Sequence, residues 1–97
     1  MSDDFFAPPP FKADDALQRL RRDLRELGLT ERAGTFEHRG QPVLQARVVD
    51  AVLDVAMVRE PARTPQWLKR PVRSSAELRD LVAELKKQLA RWKDRDD

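Results

Sequence analysis

Apolar side chains recur at steps of three and four over two stretches of this chain, and at steps of two in between. From Ser74 to Trp92, the residues Leu78, Leu81, Val82, Leu85, Leu89 and Trp92 fall on one stripe of an α-helix. Ser74 with Glu77 three residues on has the form of a capping box, which satisfies backbone N–H groups at a helix start. From Ala13 to Leu27, a second stripe is made by Leu17, Leu20, Leu24 and Leu27, widened by Ala16. Asp14 and Asp15 suit the positive end of that helix, and Gly28 marks its stop. On its wet face Asp15–Arg19, Arg19–Asp23 and Arg22–Glu26 stand four apart, so the cations are expected to be paired within the helix.

Between the helices the period of two predicts three strands, Ala33 to His38, Pro42 to Val49 and Val52 to Arg59. A two-residue turn at Asp50-Ala51 sets Val49 opposite Val52, Val48 opposite Leu53, Ala46 opposite Val55 and Leu44 opposite Met57. One face then collects Leu44, Ala46, Val48, Leu53, Val55 and Met57, while Arg47 meets Asp54 on the other. Phe36 shares the face of Leu44 if the preceding turn is the three-residue loop Arg39-Gly40-Gln41. The connector from Glu60 to Arg73 is broken by Pro61, Pro65 and Pro71, and Gln66–Arg70 is a candidate fourth strand beside Val52–Arg59. The fold class expected is α+β. It is a two-layer domain with a three- or four-stranded antiparallel meander and two helices on one face, in the order α-β-β-β-(β)-α. It occupies residues 13–93, between a Pro/Phe-containing tail at 1–12, expected to be disordered, and a charged end at 94–97.

The other sheet face is less polar than a merely wet face requires. Beside Thr35, Glu37, Gln45, Arg47 and Asp54 it carries Val43, Val49, Val52, Ala56 and Val58. A patch of this kind calls for a cover, either the tail through Phe5 and Phe6 or a second copy of the chain. The candidate protein interface is therefore Phe5, Phe6, Val43, Val49, Val52 and Val58.

At 97 residues there is room for a modest core and one domain. The 19 Lys and Arg against 17 Asp and Glu are interleaved, so the net charge of +2 does not by itself imply a polyanionic partner. With no cysteine, disulfides and thiolate metal sites are excluded. No apolar run has signal-peptide or membrane-spanning length, and the reading that follows is a cytoplasmic, bacterial-type protein. His38 is the only histidine, there is no matched nucleophile, and three glycines cannot make a phosphate loop. No catalytic residue, cofactor or metal site is expected. The connector has the densest charge, with Arg59, Arg63, Lys69, Arg70 and Arg73 against Glu60 and with Trp67 among them. Cations interleaved with a ring can hold phosphates while the ring stacks on a base. Arg63, Trp67, Lys69, Arg70 and Arg73 are accordingly the candidate nucleic-acid contacts.

From roughly Ala13 to Trp92 the order helix, three strands, helix resembles that of the double-stranded-RNA-binding domain. That family carries a Lys-Lys-x-Ala-Lys-type run at the start of its last helix. Here the matching positions are Ser74-Ser75-Ala76-Glu77, which lack those cations, and no functional residue carries over. The reading that remains is a non-catalytic protein–protein interaction or adaptor module, bound to a protein partner or to itself through the outer sheet face. Weak, sequence-tolerant nucleic-acid binding through residues 59–73 is the alternative.

Overall fold

The computed structural model describes residues 11–96. Helix α1 (Ala13–Glu26) is followed by strands β1 (Thr30–Arg32), β2 (Thr35–His38), β3 (Gln41–Val49), β4 (Val52–Val58) and β5 (Trp67–Lys69), then by helix α2 (Ser75–Asp96). The five strands form one antiparallel sheet in chain order. The stripes of both helices and the inward side chains of β2, β3 and β4 join in one buried cluster, with Phe36, Leu44, Leu53 and Val55 fully enclosed. α2 continues past Trp92 into the charged end, to Asp96.

Both helix ends follow from local chemistry. The chain leaves α1 through Gly28 at φ 91°, a value a side chain would resist. The N–H of Leu29 donates to the carbonyl of Leu24 at 3.0 Å, and that of Gly28 to Arg25 at 2.9 Å. This is the Schellman arrangement, completed by the contact positions Leu24 and Leu29, both buried. At the start of α2, the N–H of Glu77 donates to Ser74 Oγ at 3.1 Å. The Glu77 carboxylate does not return to Ser74. It accepts instead from the N–H of Arg73 at 2.6 Å, one residue further out.

The register of β3 against β4 is the one the period of two implies, from Val49↔Val52 to Leu44↔Met57, with Arg47 opposite Asp54. Three features depart from the sequence expectation. First, Thr30-Glu31-Arg32 is a strand, turned back onto β2 at Ala33-Gly34, so the strand expected from Ala33 begins at Thr35. Its central side chain is held by α1, with Arg21 Nε 3.0 Å and Arg25 Nη2 3.8 Å from the Glu31 carboxylate. Among the described residues, these cross-element pairs close rather than the i,i+4 pairs along α1.

Second, the loop between β2 and β3 is the two-residue turn Arg39-Gly40, since His38 pairs with Gln41. Phe36 still faces Leu44, because a bulge skips Val43 between the pairs Phe36↔Leu44 and Glu37↔Pro42. An inserted residue shifts parity by one. Val43, expected on the outer face, is therefore drawn into the core with no exposed surface. Third, Val58, expected on the open outer face, is covered: the candidate fourth strand is present as β5, and Val58 pairs with its Trp67. Trp67 packs against the buried cluster, and Val58 is left 1% exposed.

With an odd number of antiparallel strands between them, the two helices run in the same direction. Phe11 and Ala16 share a groove with Ser75 and Leu78, while Asp23 lies beside Val82 and Lys86 further along. Phe11, expected to belong to a loose tail, packs against the core at this end.

Candidate interaction surfaces

The sheet face opposite the helices is the first candidate. Val49 is 40% exposed at the tip of the β3–β4 hairpin, with half-buried Val52 opposite it. In the next outward row Arg47 Nε lies 3.6 Å from Asp54 Oδ2, and beyond it Gln45 pairs with Ala56 and Ala56 with Lys69. A depression that reaches from Leu17 and Arg21 of α1 onto this face takes in Gln45, Arg47, Ala56 and Trp67. Of the four valines assigned to this interface, only Val49 and Val52 offer surface; Val43 and Val58 are internal. Phe5 and Phe6 lie outside the described residues.

The basic connector is the second candidate, and the structure divides it. Arg70 and Val72 donate their N–H groups to Val55 and Leu53 of β4 at 2.7 and 2.8 Å. The alternation of an extended chain therefore sends Leu68 and Arg70 to the helix side and Trp67 and Lys69 to the outer face. Arg70 donates from Nη1 to Glu84 Oε1 at 2.9 Å and from Nη2 to Glu84 Oε2, a two-pronged bond to α2. Hydrogen bonding from Arg70 holds the Glu84 carboxyl below the usual carboxylate range, against the opposing effect of partial burial. Arg63 is exposed within the loop, and Arg73 stands at the start of α2. Trp67 and Lys69 thus face away from Arg70, whose guanidinium is bound to a carboxylate.

The same pattern decides what the open edge of the sheet can do. By the two-residue alternation, the N–H groups of Trp67, Lys69 and Arg73 turn away from β4. Pro71 has none to offer, and that of Arg73 is taken by Glu77. At the other edge β1 is three charged or polar residues long. Short strands, charge and proline at the edges discourage strand addition.

A third candidate was not found by sequence reasoning. Between the starts of the two helices runs a groove of about 950 Å³, at the upper end of the range of ligand-sized clefts. Its apolar lining comes from Phe11, Ala16 and Leu78, and its rim carries Lys12, Arg19, Arg73 and Arg79 against Asp15. The sequence signal that could have revealed it is the number of strands. An odd count brings the helix starts together and an even count separates them.

Among the described residues, groups with reactive potential do not converge. His38 is buried at the end of β2 with its ring 6.2 Å from that of Trp92, a packing contact at the far end of α2. Among the described residues, no group of three or more His, Asp or Glu side chains is placed to hold a metal. No helix among them is long and apolar enough to cross a membrane. In comparisons with known proteins, the chain matches no protein-family model, no curated protein and no solved structure.

Proposed function

We propose that this chain is a non-catalytic protein-interaction module and that the outer sheet face pairs with a second copy of itself. The observation that carries this reading is the self-complementary order of outward residues on β3 and β4. Val49 stands beside Val52, Arg47 beside Asp54, and Gln45 beside Ala56. A two-fold axis parallel to the strands and between β3 and β4 lays each residue over the partner's copy of its own cross-strand neighbour. Valine then meets valine, cation meets acid, and amide meets methyl. Aligned packing of two sheets through such faces is a common way to close a sandwich.

The area sets the strength. Nine and seven residues of β3 and β4 present on the order of 300 Å² at usual strand spacings. Flanking strands add to this, but stable interfaces bury about 800 Å² per partner. The pairing is accordingly weak and concentration-dependent. Weak nucleic-acid binding through residues 59–73 has less support, because Arg70 is engaged by Glu84 and does not share a face with Trp67 and Lys69.

Sedimentation velocity of the full chain over a wide concentration range tests the proposal. The expected result is a monomer–dimer equilibrium that Arg47→Asp weakens and Asp54→Arg weakens. Mixing the two variants restores association, since each then meets its opposite charge. The intrachain Arg47–Asp54 pair is exposed and worth little to folding, so both variants remain folded. A strict monomer at every concentration, or variants that associate as well alone as mixed, would remove the reading.

A further inference from the structure

We infer that the groove between the helix starts is the seat of an acidic, aromatic peptide segment, and that its occupant is the chain's own Asp3-Asp4-Phe5-Phe6. The groove supplies two kinds of surface side by side. Its lining is apolar, with Ala16 and Leu78 buried and Phe11 half-buried. Its rim carries four cations against the single acid Asp15. Lys12, Arg19, Arg73 and Arg79 are exposed, and their side chains close no ion pair among the described residues. A concave, partly apolar site with excess positive charge fits a segment that brings carboxylates and rings together.

One such segment is already tethered to the rim. Asp3, Asp4, Phe5 and Phe6 precede Phe11 by five to eight residues. Five residues of extended chain at about 3.1 Å each span roughly 15 Å, which is more than the width of the groove's helices, about 10–12 Å across. Phe11 enters on the helix side and itself lines this groove. The groove lies at once beneath the point of entry. Intramolecular capture needs little affinity per contact where the tether spans the distance. This inference is independent of the pairing of the sheet face.

Because the chain has no cysteine, a nitroxide attached through Ser2→Cys reports on this segment alone. The full chain is used, and amide signals are compared with the label oxidised and reduced. Selective broadening of Arg19 and of Ser75 to Arg79 is the expected result. It should be lost in Asp3→Lys/Asp4→Lys, a change outside the described fold that leaves the remaining amide signals in place, and reduced by salt. No selective broadening overturns the inference. So does broadening centred on Gln45, Arg47 and Ala56, which would place the segment on the outer face. Broadening that also appears on an unlabelled, isotope-enriched chain mixed with labelled chain overturns it too, by assigning the segment to a second copy.

Discussion

Replacing Ala51 with glycine should stabilise this protein. All three hairpin turns have two residues with positive φ at both positions, the pattern of type I′ turns. In two of them the second residue is glycine, Gly34 at 82° and Gly40 at 83°; in the third it is Ala51 at 63°. The left-handed region costs an L-residue roughly 1–2 kcal/mol, because Cβ approaches the following carbonyl oxygen. Glycine removes that cost but loses about 0.4–1 kcal/mol through its freer unfolded chain. Ala51 is exposed, so its methyl group contributes no burial that would be forfeited. At the middle of both ranges the difference favours Ala51→Gly by about 0.8 kcal/mol. For a domain of this size that is a rise in Tm of about 3–6 °C, read by far-ultraviolet circular dichroism. Gly40→Ala is the mirror experiment: its added Cβ meets nothing within 4 Å, so any loss of stability is due to backbone conformation alone. If Ala51→Gly is no more stable than wild type while Gly40→Ala costs nothing, the turns do not have the conformation on which this reasoning stands.

Other perturbations probe other parts of the account. Val43→Ala should cost about 2 kcal/mol in urea unfolding, two lost methyl groups plus an incompletely closed cavity, whereas exposed Val49→Ala should stay within about 0.5 kcal/mol; equal costs would place Val43 outside the core. Phe36→Ala, at a fully enclosed ring, should cost about 3–5 kcal/mol and approach the total stability of so short a chain. For the pair of Arg70 with Glu84, a double-mutant cycle should give a coupling of no more than about 1 kcal/mol, since both side chains are more than a third exposed. Because the folded Glu84 pKa lies below its unfolded value, that coupling is present above the usual glutamate pKa of about 4.3 and is lost as pH falls through the folded value. Unfolding curves at neutral and acid pH check this, and a coupling unchanged in acid would contradict it.

Much of the fold was legible because both periodicities were strong. Every position of the stripe from Leu78 to Trp92 is buried, as a helix with one apolar face requires. The β3–β4 register could be read because two constraints agreed, apolar pairs on one face and Arg47 opposite Asp54 on the other. β1 was invisible for a physical reason: Thr30-Glu31-Arg32 has no apolar residue and is held by pairing with β2 and by Arg21 and Arg25. The bulge was equally hidden. A parity argument can place Phe36 with Leu44 by lengthening the turn or by inserting a residue in the strand, and the two differ only in where Val43 points.

The proposed interface carried that same ambiguity. The bulge and β5 removed Val43 and Val58 from it and left Val49, Val52 and the Arg47–Asp54 row. The third surface required long-range knowledge, because Lys12, Arg19 and Arg79 are far apart in sequence and meet only when the strand count makes the helices parallel. Arg19 in particular looked committed to Asp15 and Asp23, but no such pair closes among the described residues.

On the proposed function, the open face of the sheet pairs with another copy of itself. An isotope-filtered nuclear Overhauser experiment on an equal mixture of enriched and unenriched chains, at a concentration where association is seen, examines it most directly. The account predicts intermolecular contacts between the methyl groups of Val49 and Val52, and between Ala56 of one copy and Gln45 of the other. Intermolecular contacts confined to the helices or to the β5 edge, with none from Val49, would contradict it.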